Sequence, residues 1–326
     1  MFVDVVASYR DFAGYAAADS PTFHDWALAV ADDPEVTAWI AALPAIKQQP
    51  NLVFAAARWH GVDAPGPYAG LRAALLADDG SIRSTIMSRA TQTNEVGRLA
   101  TLLPAFAQCT QPLALIEVGA AAGLCLYPDR WGYAWTTDDG TVSLGDAPRL
   151  TCRVKGPAPL PTDLPDIVWR AGIDLNPLPV HDAEAMAWLE QLVWPEQDDR
   201  RAALRHAITI AREDPPMLVR GDLLERLPEL VEQASAWGTV VVFHSAVIAY
   251  LEPEGRQAFD AMMRAMIRDH RCHWISNEGK NVLPSITATG PAIPAGLHTF
   301  VLGIDGRMVG RTHGHGRALT WTALRS

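Results

Sequence analysis

The sequence predicts an α/β protein with a doubly wound, mostly parallel sheet, an all-helical N-terminal region and a small antiparallel insertion. Two observations predict this fold class. Residues 1–110 carry helix patterns and no strand signal, whereas short apolar runs alternate with helical stretches after Pro112. Alternation of strands and helices is typical of a parallel sheet covered by helices. We therefore expect a helical cap over residues 1–110 and a sheet domain over residues 111–326.

Helix starts are easy to recognise in the N-terminal region. Ser20 before Pro21 combines a capping side chain with a proline at the first helical position. Asp33 before a second proline repeats this signal. A further helix pattern begins near Asn94, and we expect it to stop at Pro104 because proline lacks the N–H that an interior helical position needs.

Five apolar runs in the second region predict strands. They are LALIEVG (113–119), IVWRAGIDLNP (167–177), MLVRGD (217–222), TVVVFHSAVIAYL (239–251) and CHWISNEG (272–279). The segments between the last four carry helix patterns. The run TVVVF contains only β-branched and aromatic residues, which is typical of a central strand buried on both sides.

Two segments depart from this alternation. Residues 133–145, YAWTTDDGTVSLG, contain Asp139-Gly140 between strand-like flanks, which predicts a hairpin. A further strand pattern follows, so residues 133–156 are expected to form a small antiparallel insertion. Near the C-terminus, Asp305-Gly306 predicts the turn of a second hairpin.

Composition limits the classes of function. The chain has 326 residues, a formal net charge of −10 and 49% hydrophobic residues, which describe an ordinary globular protein. The acidic balance argues against a nucleic-acid partner, and no apolar run is long enough to predict a membrane span. The four cysteines form no CxxC pair and the N-terminus has no basic region typical of a signal peptide. We expect a cytoplasmic protein that acts on a small molecule.

Candidate ligand-binding residues follow the predicted strands. In an open α/β sheet, ligands bind outside the carboxyl ends of the strands where the strand order reverses. The candidates for cofactor contact are Glu117, Gly119, Ala120, Gly123, Asp174 and Asp222, and those for catalysis are His244, Tyr250 and Glu278. Ser245, beside His244, is a candidate for substrate contact.

Each of these residues also has a purely structural interpretation. The small residues of GAAAGL (119–124) either let a ligand approach the backbone or allow tight packing after the strand. Asp174 precedes Asn-Pro and suits a turn, whereas Asp222 suits the N-cap of a helix. Because the middle glycine of GxGxxG is absent, a dinucleotide cofactor is disfavoured.

The blocks IEVGAAAGL, GIDLNP and GD together resemble the first three motifs of class I S-adenosylmethionine-dependent methyltransferases. The resemblance covers roughly residues 112–326 and implies a Rossmann-like sheet. It also implies S-adenosylmethionine as the cofactor, with Gly119 and Gly123 near its methionine part, Asp174 at its ribose and Asp222 at its adenine. The fourth strand carries His244-Ser245 in place of the family's Asn-Pro-Pro-Tyr or Asp-Pro-Pro-Tyr signature, so the methyl acceptor is undetermined.

A second resemblance covers nearly the whole chain. The blocks TQTNEVGR (91–98), EVGAAAGLCLYPDRWGY, GIDLNPL, VVFHSAVIAYL and GHGRALTW resemble a bacterial family catalogued as a domain of unknown function. This resemblance implies no particular activity. The alternative function is a non-enzymatic binding or scaffold protein that retains a methyltransferase-like fold, which the missing acceptor signature and the altered glycine pattern support.

Two acids of this chain are candidates for the residue that binds the ribose. In nucleotide-binding units the acid lies about 20 residues beyond the glycines, whereas Asp174 lies 174 − 119 = 55 residues beyond Gly119. Asp138, at 138 − 119 = 19 residues, fits that spacing if YAWTT is the second strand. We favour Asp174, because Asp138 belongs to a predicted turn and the insertion accounts for the excess.

His244 ends a strongly apolar strand and has two interpretations. It is either a hydrogen-bonded core residue or, at the rim of a ligand site, a general base that removes a proton from the methyl acceptor. Tyr250 and Glu278 are further candidates on the same rim. Glu117 lies within a strand and needs a partner if it is buried, and Arg98 is one candidate partner.

The polar block TQTNEVGR also allows two interpretations. Thr93 suits a helix cap, whereas Gln92, Asn94, Glu95 and Arg98 together suit a substrate wall over the cofactor cleft. Arg98 is suited to bidentate binding of a carboxylate. His313 and His315 are separated by a single residue without a nearby acid cluster, so we predict no metal site.

Overall fold

The computed structural model describes residues 4–92 and 94–322. By its contacts the chain divides into two compact units. The first unit comprises Met1–Thr93 together with Ala183–Ala202, and the second comprises Asn94–Asp182 together with Ala203–Ser326. Residues 183–202, which follow the second of the predicted strands, therefore cluster with the N-terminal helices. Among the described residues, no helix combines the length and the apolar character needed to cross a membrane.

The first unit is built from helices. They are α1 (Val5–Ala16), α2 (Pro21–Asp32), α3 (Pro34–Ala41), α4 (Pro50–Trp59), α5 (Tyr68–Leu76), α6 (Ser81–Ser88) and α8 (Ala183–Leu192). The predicted starts are present, since Ser20 accepts a hydrogen bond from the Phe23 N–H and Asp33 caps α3. Trp194 joins this unit through edge-to-face packing on Phe12, with ring centroids 5.5 Å apart. This aromatic contact links the inserted segment to the N-terminal helices.

The second unit contains one large sheet. Its helices are α7 (Leu99–Phe106), most of α9 (Asp198–Glu213), α10 (Leu223–Ala234), α11 (Pro253–Arg268) and α12 (Pro284–Thr287). Its strands are β1 (Leu113–Val118), β2 (Gly132–Thr137), β3 (Gly140–Leu144), β4 (Arg149–Lys155), β5 (Ile167–Asp174), β6 (Met217–Arg220), β7 (Thr239–Ser245), β8 (His273–Gly279), β9 (Phe300–Ile304), β10 (Arg307–Thr312) and β11 (Ala318–Trp321). Within the described residues these strands form a single eleven-stranded sheet in the order β3-β2-β4-β11-β10-β9-β8-β7-β1-β5-β6.

The five strands predicted from the apolar runs form the parallel part of the sheet. Strands β6, β5, β1, β7 and β8 are neighbours in this order, and each adjacent pair is parallel. In chain order these strands read 3-2-1-4-5, so the order reverses between β1 and β7. Strand β9 then runs antiparallel to β8 and joins β10 through the predicted turn at Asp305-Gly306. The protein is therefore a mixed α/β protein in which parallel pairs outnumber antiparallel ones.

The expected antiparallel insertion is only partly antiparallel. Strands β2 and β3 form the predicted hairpin, but β4 runs parallel to both β2 and β11. The three strands therefore extend the main sheet through the C-terminal strand and do not form a separate element. This correction has a physical reason: every second side chain of β4 is buried, and β11 supplies a pairing edge that no local sequence pattern reveals.

Helix α7 corrects the expected stop at Pro104. The helix continues to Phe106 with Pro104 inside it. Proline cannot donate a hydrogen bond to the carbonyl four residues earlier, which belongs to Ala100. The Trp135 Nε1–H donates to this Ala100 oxygen at 2.8 Å. Because the carbonyl has another donor, the helix tolerates the proline.

The two faces of β1 have different surroundings. Ile116 and Val118 belong to an apolar core formed with α10, α11 and the inward side of β7 and β8. Since side chains alternate along a strand, Glu117 points to the opposite face. Phe243 of β7 points to that face too, where it packs on Phe106 of α7 at a ring-centroid distance of 5.2 Å. The fold thus places one carboxyl group on the α7 side, at the carboxyl end of the central strand.

Candidate functional site

The sheet brings three predicted ligand residues to one edge. Val118, the last residue of β1, pairs with Ile173 on one side and His244 on the other. The next residues, Gly119 and Asp174, therefore emerge side by side. On the far side of β5, Asp174 pairs with Arg220, so Gly221 and Asp222 follow at the same edge.

This topology distinguishes between the two possible ribose ligands. Strand β5, which ends at Asp174, is the direct neighbour of β1. Asp138 lies in the exposed turn between β2 and β3, and β2 is second in the sheet order whereas β1 is ninth. Asp174 is therefore the acid that lies beside the glycine loop, and Asp138 lies at the other end of the sheet.

The loop Gly119–Gly123 has no free backbone N–H in this conformation. The N–H groups of Gly119 and Ala120 both donate to the Ile173 oxygen, at 2.8 and 3.1 Å. Ala121 donates to Asp174 Oδ2 at 2.8 Å, and the N–H of Ala122 donates to Asn94 Oδ1 at 2.9 Å. Gly123 donates to the Ala120 oxygen at 2.6 Å. A short 3₁₀ turn, Leu124–Leu126, follows the loop. An α-helix whose N-terminus offers free N–H groups to a ligand is therefore not formed directly after this loop.

Both glycines are closely packed. Gly119 has a φ of +72°, and a Cβ there would lie 2.1 Å from Val247 Cγ2. Gly123 has a φ of +70°, and a Cβ there would lie 2.8 Å from Pro216 Cγ. Backbone conformation and packing account for both glycines without a ligand.

The two acids at the edge combine structural contacts with partial exposure. Asp174 Oδ1 accepts the Asn176 N–H at 2.7 Å, in addition to the bond from Ala121. Asp222 Oδ1 accepts the Leu224 N–H at 2.7 Å and caps α10. The Gly221 N–H donates to the Asp174 main-chain oxygen at 3.0 Å, which holds the two strand ends together. The turn and cap interpretations therefore apply to both residues, and neither excludes ligand contact.

Glu117 is a buried carboxyl group on the α7 side. It is 6% exposed, and its Oε2 has no hydrogen-bond partner among the described residues. Burial raises the pKa of Glu117 well above its usual value, and the charge of Asp174 raises it further. The hydrogen bond with the Cys125 thiol and the charge of Arg98 oppose this pKa shift. Burial therefore favours the neutral, protonated form of Glu117.

The predicted substrate residues bind the protein's own backbone. Asn94 Nδ2 donates to the Ala120 oxygen at 2.9 Å, so the Asn94 amide holds the loop through two bonds. Arg98 is buried, and it donates from Nε to the Gly314 oxygen at 2.7 Å and from Nη1 to the Ser245 oxygen at 3.1 Å. These contacts connect the glycine loop, the end of β7 and the loop before β11.

Glu95 and Ser245 take part in the same network. Glu95 accepts the Gly97 N–H and lies 3.1 Å from His315 Nδ1. The Ser245 hydroxyl accepts from Asn277 Nδ2 at 3.0 Å. Gln92 belongs to the first unit, so its predicted role as a substrate wall stays a prediction. The possible cap Thr93 lies outside the described residues, and Glu95 caps the turn that follows.

His244 lies on the opposite face of the sheet from Glu117. It is fully buried, and its Nδ1 lies 2.7 Å from Glu278 Oε1. The Trp274 Nε1–H donates to His244 Nε2 at 3.0 Å, so the proton of the neutral ring is on Nδ1. Both ring nitrogens are therefore engaged with protein partners. This geometry favours the core interpretation of His244 and leaves no lone pair for a general base.

Glu278 and Tyr250, the other predicted catalytic residues, have different surroundings. Glu278 is 2% exposed, and its Oε1 also accepts the N–H groups of Val247 and Ile248, at 3.0 and 3.1 Å. Tyr250 is 70% exposed beyond the end of β7. Of the three, Tyr250 alone has a side chain open to a soluble ligand.

Several residues of this region were missed by the sequence reasoning. They are Cys125, Val247 and Trp274. Val247 and Trp274 read as ordinary core residues, and no local signal distinguishes them. Among the described residues, no group of three or more His, Cys, Asp or Glu side chains is arranged to hold a metal ion.

Comparison with known proteins identifies a family. Residues 6–321 match the family described as an uncharacterized protein conserved in bacteria (DUF2332). No curated protein matches the chain.

Proposed function

This chain belongs to the bacterial family DUF2332, and we propose that it binds S-adenosylmethionine and transfers the methyl group to a small-molecule acceptor. The proposed site is the carboxyl edge of β1, β5 and β6. The fold assignment that accompanies this proposal is a Rossmann-like sheet of methyltransferase type, based on the 3-2-1-4-5 order of the parallel strands.

One observation carries the proposal. Two carboxyl groups lie at the carboxyl edge of adjacent parallel strands, Asp174 as the last residue of β5 and Asp222 just after β6. Strand β1 separates β5 from the point where the strand order reverses, between β1 and β7. Ligands of open α/β sheets bind at such reversal points, outside the carboxyl ends of the strands. The 3.0 Å bond from the Gly221 N–H to the Asp174 oxygen keeps the two acids at neighbouring positions.

Each acid has a distinct proposed contact. Asp174 would accept hydrogen bonds from the ribose hydroxyls, and Asp222 Oδ2, which has no hydrogen bond to a described residue, would accept from the exocyclic amine of adenine. Leu175 directly follows Asp174, is 71% exposed and would offer an apolar surface to the base. The residues at this edge therefore fit a nucleoside.

The chain's contribution to the reaction is positioning. Bound S-adenosylmethionine would supply an activated methyl group, and Asp174, Asp222 and Tyr250 would hold the cofactor and the acceptor for its transfer. His244 and Glu278 would act as positioning residues, because His244 Nδ1 bonds Glu278 Oε1, which in turn holds the Val247 N–H. Tyr250, exposed beyond β7, is the side chain that we place against the acceptor.

A cytoplasmic location accompanies the proposal. Cys109, Cys125, Cys152 and Cys272 are all free thiols. Free cysteines without disulfides are typical of reducing compartments.

A second function is favoured by the closed loop. Because each N–H of Gly119–Gly123 has a protein acceptor and Val247 covers Gly119, the loop needs no ligand to complete its structure. A binding or scaffold protein that retains the fold without methyl transfer would show this geometry. The two functions differ in whether the chain binds the cofactor.

Calorimetry with S-adenosylhomocysteine and S-adenosylmethionine tests the proposal. We expect saturable heat and a thermal shift for the intact chain at up to millimolar ligand. Asp222→Ala should weaken binding, whereas Asp138→Ala, at the exposed acid of the β2–β3 turn, is the matched control. Absence of heat and of any thermal shift for both ligands would exclude this cofactor and favour the binding or scaffold function.

A further inference from the structure

The side chain of Val247 packs directly against Gly119 of the loop. A Cβ on Gly119 would lie 2.1 Å from Val247 Cγ2 and 2.6 Å from Val247 Cβ. The three nearest atoms to that position all belong to the Val247 side chain. One side chain therefore fills the space beside Gly119, and a side chain can turn away without displacing a strand.

Glu278 holds Val247 in this position from within the protein. Its Oε1 accepts the N–H groups of Val247 and Ile248, together with a bond to His244 Nδ1. Trp274 donates to the other nitrogen of His244 and fixes the orientation of its ring. The backbone of the segment after β7 is therefore fastened by one buried carboxylate.

The outer side of the same segment is open. Ala246 has a left-handed φ of +59°, which allows a sharp change of direction directly before Val247. Ile248 is fully buried, whereas Tyr250 is 70% exposed. A small rotation between Ala246 and the Ile248 anchor would move the Val247 side chain away from the glycine.

We propose that Val247 is a gate on the nucleoside site, closed over Gly119 by the Glu278 carboxylate and opened when the methionine part of the cofactor reaches the loop. This inference rests on the proposed function and adds a device that controls its affinity. Because opening is required, the closed conformation lowers the apparent affinity in proportion to the fraction of open molecules.

Calorimetry of the full chain with two probes tests the gate. S-adenosylhomocysteine carries the methionine part, whereas adenosine lacks it. Val247→Ala removes the two methyl groups of Val247, and Val247→Thr retains the volume as the matched control. We expect Val247→Ala to bind S-adenosylhomocysteine roughly threefold to tenfold more tightly than the wild type. Its affinity for adenosine should be unchanged, and Val247→Thr should match the wild type for both probes.

Hydrogen exchange gives a second readout. The amide of Val247 should exchange faster in the presence of saturating S-adenosylhomocysteine, because gate opening breaks its bond to Glu278, whereas the amide of the Ile248 anchor should exchange at an unchanged rate. Equal S-adenosylhomocysteine affinities for wild type and Val247→Ala, with unchanged exchange, would overturn the gate while leaving cofactor binding intact. Failure of both probes to bind either protein would instead overturn the proposed function, and the gate with it.

Discussion

The Asp174 carboxylate accepts a hydrogen bond from the Ala121 N–H at 2.8 Å, so the acid that ends β5 is bonded to the loop that follows β1. The proposed ribose ligand therefore also maintains the conformation of the glycine loop. A substitution of Asp174 is expected to change stability and binding together, whereas other substitutions at the same edge should separate the two.

Asp174→Asn tests this double role. An amide keeps one acceptor oxygen but cannot accept the hydrogen bonds of both Ala121 and Asn176 in their present positions, so either the part-buried Ala121 N–H or the exposed Asn176 N–H loses its partner. We expect the free energy of unfolding to fall by about 1–3 kcal/mol, measured by urea denaturation. An unfolding free energy equal to that of the wild type would show that the Asp174 bonds do not stabilise the loop.

Asp222→Asn separates capping from ligand contact. Asparagine is as good an N-cap as aspartate, so the free energy of unfolding should change by less than about 0.5 kcal/mol. Asp222→Ala, which loses the cap of α10, should cost about 1 kcal/mol. Both variants should weaken S-adenosylhomocysteine binding, by on the order of tenfold for the lost carboxylate contact. Wild-type affinity in Asp222→Asn, measured by calorimetry, contradicts the adenine contact.

Glu117→Gln should make stability less sensitive to pH. Burial, followed by the charge of Asp174, raises the folded-state pKa of Glu117 above its usual value of 4.5. The stability that Glu117 contributes is therefore fully present below pH 4.5 and is lost as pH rises through the folded-state pKa. Between the unfolded-state and the folded-state pKa of Glu117, the free energy of unfolding of the wild type falls by about 1.4 kcal/mol per pH unit relative to a variant with a neutral side chain.

The measurement is urea denaturation of wild type and Glu117→Gln from pH 4 to pH 8. The free energy of unfolding of Glu117→Gln minus that of the wild type should be smallest at pH 4 and should grow towards pH 8. Glu254→Gln, at an exposed carboxyl group, is the control. A constant difference between wild type and Glu117→Gln across this range would show that Glu117 is not held neutral by the fold.

Gly119→Ala tests the contact with Val247. Residue 119 has a φ of +72°, which strains any residue with a Cβ, and a Cβ there would lie 2.1 Å from Val247 Cγ2. Backbone strain and steric overlap should therefore both destabilise the variant. In a double-mutant cycle with Val247→Ala, part of this cost should disappear, with a coupling free energy of roughly 1–3 kcal/mol. Additive costs would mean that Val247 does not cover Gly119 in solution.

His244→Ala tests whether this residue belongs to the core. The substitution leaves Glu278 and the Trp274 N–H without their partner and creates a cavity, so the expected loss is about 2–4 kcal/mol. Tyr250→Phe, at an exposed ring, should change stability by less than about 0.5 kcal/mol. Thermal and urea unfolding measure both effects. Unchanged stability in His244→Ala would support the alternative in which the ring serves catalysis.

The parallel strands could be predicted because their signals are local. Each is a short apolar run bounded by turn residues, and the run 239–243 is typical of a central strand. The positions of Asp174 and Asp222 followed from these strands. It was harder to predict that a 3₁₀ turn follows the glycine loop in place of an α-helix, although Pro128 limits how far a helix can extend beyond Gly123.

The remaining features depend on distant parts of the chain. Strand β4 pairs with β11, whose residues lie more than a hundred positions later in the sequence. Both nitrogens of His244 are satisfied by Trp274 and Glu278, 30 and 34 residues further on. Local patterns cannot show such pairings, so the core interpretation of His244 and the route of the insertion required the structure.

A crystal structure of the chain with saturating S-adenosylhomocysteine tests the central claim most directly. We expect the ribose to lie against the Asp174 carboxylate and the adenine against Asp222, at the carboxyl edge of β5 and β6. Density for the nucleoside at another place on the chain, with both acids keeping only their loop and cap contacts, would contradict it.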